Sequence, residues 1–151
     1  MKLLDGINHL TFVTSDMDKL IDFYKRIFDA EVTLDLEEGD IRHAFIEVGP
    51  ETVLHPFQVP NIEPPDLLPM FSRGRLDHFA LNASSMEAFK ELYKRLSSED
   101  CVESNVIDMG MLLLFNFIDP DKGQHEVVLW KEGRSKEGVL RKDWKDFEMD
   151  L

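Results

Sequence analysis

The sequence predicts an α+β protein built from two repeated βαβββ modules, and three observations carry that reading. The strand-like stretch "INHLTF" at 7–12 is followed 69 residues later by "LDHFAL" at 76–81, with histidine in third place of each. At the same offset "SDMDKLIDFYKRIF" from Ser15 matches "SSMEAFKELYKRLS" from Ser84, and the triplet Tyr24-Lys25-Arg26 recurs as Tyr93-Lys94-Arg95. Short alternating stretches then follow each match, which is the period of half-buried strands.

The elements follow in order. "INHLTF" and "LDHFAL" open the modules as strands. Ser15 with Asp18, and Ser84 with Glu87, fit a capping box at the start of each helix. Met17, Leu20, Tyr24 and Ile27 then space at 3, 4 and 3 residues, as do Met86, Phe89, Tyr93 and Leu96. Each set is one apolar stripe that a helix buries in a core. Strand candidates follow as "AEVTLDLE", "IRHAFIEVG" and "TVLHPFQV", with turns at Glu37-Glu38-Gly39-Asp40 and Gly49-Pro50. In the second half they are a weaker "CVESNVID", then "GMLLLFNFIDP" and "HEVVLW", with "DPDKG" as the turn.

The modules are therefore expected at residues 1–59 and 75–131, joined by a linker at 60–74. The connector "VPNIEPPDLLPMFSRGR" holds four prolines and the apolar Leu67, Leu68, Met70 and Phe71, which either cap the core or cover a pocket. Residues 132–151 form a charged tail, in which Leu140, Trp144, Phe147 and Leu151 predict a short docked helix.

Composition narrows the function. The formal charge of −13 disfavours nucleic acid and anionic membrane surfaces as partners. No apolar run reaches the length of a membrane span, and no charged-then-apolar leader opens the chain. A lone cysteine, Cys101, forms no intramolecular disulfide and reads as a spare loop residue; it suits a reducing compartment, so the expectation is a cytoplasmic protein. The "NAS" sequon at Asn82 is then chance.

Four residues resist explanation as ordinary strand residues: His9 and His78 on the first strands, His55 on the last strand of module one, and Glu126 on the last strand of module two. Taken alone, His9 is either a core histidine satisfied by a backbone carbonyl or a ligand. A glutamate flanked by Val127, Val128 and Leu129 is costly unless paired or metal-bound. Two imidazoles and one carboxylate from separate strands suit a facial metal triad with open positions. The repeat favours ligation, because His9 and His78 are equivalent and His55 is nearly equivalent to Glu126, offset by 71 rather than 69. The two extra residues are placed in the "DPDKG" turn. Pro56 has no amide hydrogen for a central strand, which leaves open whether His55 is a fourth ligand or is displaced. His43 has no repeat partner, and His125 points opposite to Glu126, so both are set aside.

These segments, with "FIDPDKGQHEVVLW", make residues 5 to about 131 resemble the vicinal oxygen chelate superfamily of glyoxalase I, bleomycin- and fosfomycin-resistance proteins, methylmalonyl-CoA epimerase and extradiol dioxygenases. The most specific match is to the family's "DPDG…E" ending, although here Lys122 stands where glycine is usual and Gly123 follows. The resemblance implies paired βαβββ modules forming a cupped, mostly antiparallel mixed sheet, with helices on the outer face, around a divalent metal. It places ligand positions on His9, His55, His78 and Glu126, with His55 and Glu126 as candidates for catalytic roles. In glyoxalase-like members the position of His55 is often glutamate or glutamine, so histidine leaves the subfamily open.

The implied chemistry is electrophilic: a metal chelates two substrate oxygens and stabilises an enolate or oxyanion. The first reading is an isomerase or lyase using Ni, Zn, Mn or Co, with His55 able to move a proton. The second is an iron(II) dioxygenase acting on a catechol-like ring, in a pocket lined by some of Phe12, Phe45, Phe57, Phe79, Phe115 and Phe117. The third is a non-catalytic small-molecule binding or resistance protein, against which the retained ligands argue. Arg42, Arg73 and Arg75 are candidate anchors for an anionic substrate or simply solvated surface residues. A small-molecule partner and a homodimer are expected.

Overall fold

The computed structural model describes residues 3, 6–63, 66–74, 76–131 and 145–150. The chain divides into two compact units, 1–66 and 67–151. Each carries one helix and its own mixed, mostly antiparallel sheet.

The first unit runs β1 (His9–Thr14), α1 (Met17–Phe28), β2 (Glu31–Glu38), β3 (Ile41–Gly49) and β4 (Thr52–Gln58), with sheet order β1-β4-β3-β2. β1 and β4 are parallel, and the other pairs are antiparallel. The helix forms because its stripe has something to cover. Met17, Leu20, Tyr24 and Ile27 are buried, and α1 packs on β3 and β4, where Ala44, Ile46 and Leu54 are fully buried. Burying a leucine, isoleucine or methionine side chain there contributes roughly 1.5–3 kcal/mol. Asp29 ends the helix in the left-handed region at φ 53°.

With the helix on one face, alternation sends the other residues to the opposite face. His9, Thr11 and Val13 are exposed there, and His43, Phe45, His55 and Phe57 are half-buried. The β3–β4 ladder passes from His43↔Phe57 to Ile46↔Leu54, and Pro56, which has no N–H to donate, sits in that gap. β4 thus keeps a proline in the sheet interior without displacing His55.

The second unit runs β5 (Ala80–Asn82), α2 (Met86–Ser98), β6 (Ile107–Asp108), β7 (Leu112–Ile118), β8 (Gln124–Trp130) and β9 (Lys145–Asp146), with order β5-β8-β7-β6-β9. β5 and β8 are parallel, as β1 and β4 are. Phe89 and Leu96 are fully buried, and the rings of Phe89 and Tyr93 meet Phe115 edge-on at 5.0 and 5.1 Å. The weak "CVESNVID" segment yields only two strand residues and a bridge from Val102 to Phe117. Its polar centre explains this: the Asn116 amide donates to the Ser104 hydroxyl at 3.2 Å, so a side chain stands in for the ladder.

Three expectations are corrected. The opening strand of the second module begins only at Ala80, where pairing with Glu126 of β8 starts, so His78 lies just before β5 rather than on a strand. The helix caps lie one residue later than expected, at Asp16 and Ser85, which accept from the amides of Lys19 and Ala88 at 3.0 and 3.1 Å. The apolar stripe begins at Met17 and Met86, so the residue just before it is the one whose oxygen faces the open amides. The tail helix is not formed at 145–150. Lys145–Asp146 pairs with β6 instead, and the Phe147 amide donates to the Val106 carbonyl at 2.8 Å. The remaining tail positions 140, 144 and 151 lie outside the described residues. No described helix is long and apolar enough to cross a membrane.

Candidate metal centre

The two parallel strand pairs place the candidate ligands in the same way. In the first unit Thr11 is the register partner of His55, so His9 lies two residues along β1 on the same face. In the second, Ala80 is the partner of Glu126, and His78 lies two residues before it. The pairings His9–His55 and His78–Glu126 are therefore the same diagonal in two copies. Strand register removes the ambiguity that the 71-residue offset leaves in the sequence.

Within each unit the diagonal is closed. The rings of His9 and His55 are 5.3 Å apart, edge to face. His78 Nε2 lies 3.6 Å from Glu126 Oε1. Among the described residues, no cluster of three or more His, Cys, Asp or Glu side chains is gathered closely enough to hold a metal ion. What each unit brings together is a pair.

The chemistry of these pairs fits a cation. His78 Nδ1 faces Asp77 Oδ1 at 2.9 Å, and His9 Nδ1 faces Asn8 Oδ1 at 2.8 Å. Asp77 is held ionised, its carboxyl below the usual range, chiefly by the hydrogen bond with His78. An ionised carboxylate only accepts, so Nδ1 of His78 carries a proton, and in the neutral ring the lone pair is then at Nε2. That lone pair faces a second acceptor, the carboxylate of Glu126. Two acceptors opposed at this distance are satisfied by a proton or a cation. Burial pushes the Glu126 carboxyl above the usual range, and the charge of His78 opposes that. Burial, then the neighbouring charges of His43 and His9, lowers the pKa of His55 and favours its neutral, ligating form.

The surroundings sort the other candidates. His43, set aside on sequence, stands beside the site: its Nδ1 is 3.1 Å from His55 Nε2, and its ring stacks on Phe57 at 5.1 Å. The alternation of β3 could have found it, because His43 and Phe45 share the face that Ala44 and Ile46 leave. Phe45 and Phe57 each lie 4.5 Å from the His55 ring, so the open face of this sheet is aromatic. His125 belongs to the opposite face of β8, where it stacks on Phe79 at 3.7 Å and its Nε2 contacts Asp119 Oδ2 at 3.1 Å. His9 is exposed, so the core-histidine reading fails for it.

Arg42 is an ion-pair residue, bidentate to Asp35 at 2.9 and 2.8 Å and also bonded to Asp18. Arg73 donates to the Leu68 carbonyl at 2.6 Å. Arg75 lies outside the described residues. A cleft of about 360 Å³ lined by Glu37, Arg42 and Gln58 contains none of the four candidate ligands.

Two βαβββ modules, each pairing its first and last strands in parallel, define the class of fold. The chain belongs to the Glyoxalase/Bleomycin resistance protein/Dioxygenase superfamily, whose sequence profile matches residues 6–127. It is similar in structure to a glyoxylase/bleomycin resistance protein/dioxygenase domain from Frankia sp. EAN1pec, at 19% identity and TM-score 0.76, covering 86% of this chain and 95% of that one. It is also similar to glyoxalase I of Leishmania major, a trypanothione-dependent enzyme, at 19% identity and TM-score 0.62, covering 83% and 87% of the two chains. The fosfomycin resistance protein FosX of Listeria monocytogenes, in its complex with Mn(II) and sulfate, matches at 17% identity and TM-score 0.62, covering 84% and 93%. No curated protein sequence matches significantly.

Proposed function

We propose that this protein is a divalent-metal-dependent enzyme that acts by isomerase or lyase chemistry on a small substrate with two neighbouring oxygens. The proposed ligands are His9, His55, His78 and Glu126. The observation that carries the reading is the repeated diagonal, which makes His55 the counterpart of Glu126 rather than a stray strand histidine. A histidine at position 55 that can move a proton favours non-redox isomerase or lyase chemistry. A bound divalent metal would supply Lewis acidity to the substrate oxygens.

The chain's own residues supply the rest. Burial favours the neutral form of His55, and its Nε2 lies within hydrogen-bond distance of His43 Nδ1, so a proton can pass between the two rings. Glu126, whose carboxyl is raised by burial, is the second candidate for holding a proton. Phe45 and Phe57 offer an apolar wall beside His55. That aromatic wall also favours a second reading, an iron(II) dioxygenase acting on a catechol-like ring.

The test is metal analysis of protein purified without chelators or affinity-tag metals. Stoichiometric nickel, zinc, manganese or cobalt is expected. Iron would move the assignment to the dioxygenase, and no metal to a small-molecule binding protein. His9→Ala, His78→Ala and Glu126→Ala should each release the metal while melting stays cooperative. His55→Ala should weaken binding and abolish turnover. Full metal occupancy in both His78→Ala and Glu126→Ala would sink the reading.

A further inference from the structure

His9, at the start of β1, and His78, two residues before β5, are each immediately preceded by a side chain that accepts from Nδ1. Asn8 Oδ1 lies 2.8 Å from His9 Nδ1, and Asp77 Oδ1 lies 2.9 Å from His78 Nδ1. Asn8 and Asp77 are themselves repeat equivalents, at the same 69-residue offset as the histidines. Neither lies within a strand: Asn8 is exposed just before β1, and Asp77 is half-buried just before β5. An acceptor at Nδ1 does one specific thing to a neutral imidazole. It holds the proton there and leaves Nε2 as the lone pair. The same contact fixes the ring's rotation about its side chain.

We propose that Asn8 and Asp77 are positioning residues that set the ring tautomers of His9 and His78, so that both present Nε2 to a divalent cation. This rests on the ligand reading given above. The two halves are not identical. Asn8 offers a neutral amide oxygen, whereas Asp77 offers a carboxylate, which can only accept and so holds the Nδ1 proton more firmly. Asp77 is also held from its far side: the Phe71 amide donates to Oδ2 at 2.5 Å, and Arg73 lies 3.8 Å from Oδ1. Phe71 takes a left-handed φ of 67°, a conformation that the Asp77 contact holds in place. The orientation of His78 is thereby tied to the apolar connector, while that of His9 depends on Asn8. His78 is therefore the better fixed of the two.

The experiment uses the full chain with ¹⁵N-labelled histidine, metal-free at pH 8. Long-range ¹⁵N–¹H correlation reads which ring nitrogen carries the proton. His9 and His78 are expected as Nδ1–H tautomers. Asp77→Ala should shift His78 toward the Nε2–H form, and Asn8→Ala should do so for His9. Asp77→Asn and Asn8→Asp, which keep an accepting oxygen, should restore the Nδ1–H form and control for any loss of folding. Titration with Mn(II), Ni(II) or Co(II) should show binding weakened about 10- to 100-fold in Asp77→Ala. The loss should be smaller in Asp77→Asn. Unchanged tautomers in both alanine variants, or a doubly protonated His78 ring in the wild type at pH 8, would overturn the proposal. Wild-type protein with the expected tautomers but no affinity for any of the three metals would overturn the ligand reading and, with it, the purpose assigned to the tautomers.

Discussion

Glu126 shows at the scale of one residue what the site costs the fold. Burial raises its folded-state pKa above the unfolded value. Between those two values the folded state holds more protons than the unfolded one, so stability falls as pH rises through that window. In metal-free protein, Glu126→Gln should therefore raise the melting temperature at pH 8, and the gain should vanish near pH 4. With metal bound the order should reverse, because the variant has lost a ligand. His55 has the opposite sign. Its folded pKa is lowered from 6.5, so stability is lost as pH falls below that value, and His55→Gln should flatten that acid limb. Thermal melts across pH, with and without metal, check both. Lys122 and Gly123 make a second case. Lys122 adopts φ 65°, and a Cβ on Gly123 would lie 2.8 Å from His125 Nε2 and 3.0 Å from Asp119 Oδ2. Lys122→Gly should stabilise by roughly 0.5–1 kcal/mol, since glycine takes that conformation without strain. Gly123→Ala should cost roughly 1–3 kcal/mol by forcing the Asp119–His125 contact apart. Denaturant unfolding measures both.

At the scale of elements, the helix starts decide where charge matters. Asp16 caps α1, while Ser15 lies outside the cap. Asp16→Ala should cost about 1 kcal/mol, measured by denaturant midpoint. The same reasoning holds for Ser85. The strands show how far alternation carries. It predicts which face His9, His55 and Glu126 take, because side-chain direction along a strand has a fixed period of two. It does not predict β9. Phe147 has helical spacing from Leu140 and Trp144, yet its own segment is extended, because the open edge of β6 offers backbone partners there. Deleting residues 145–151 should expose that edge and lower the melting temperature by several degrees.

At the scale of the molecule, a 69-residue repeat gives each unit one helix, one mixed sheet and one pair of proposed ligands. The proposed assembly is a homodimer. Light scattering at micromolar concentration should give twice the mass of the 17.5 kDa chain, and a monomer would reject it. Loading with metal should raise the melting temperature, since a ligand that binds only the folded state stabilises it by mass action.

The sequence by itself determined the repeat, the two helical stripes and the strand faces on which His9 and Glu126 lie. Those are local patterns, written in spacings of two, three and four residues. Lys122 at the family's usual glycine position was legible in the same way, and the turn does hold it at positive φ. Only the tertiary structure decided that His55 stands to His9 as Glu126 stands to His78, because strand register is a pairing between distant segments. It also decided that His43 adjoins His55, that Asp77 serves both His78 and Phe71, and that Arg42 is spent on Asp35 and Asp18. Each of those contacts joins side chains whose meeting depends on how strands and loops pack, and spacing along the chain carries no record of that.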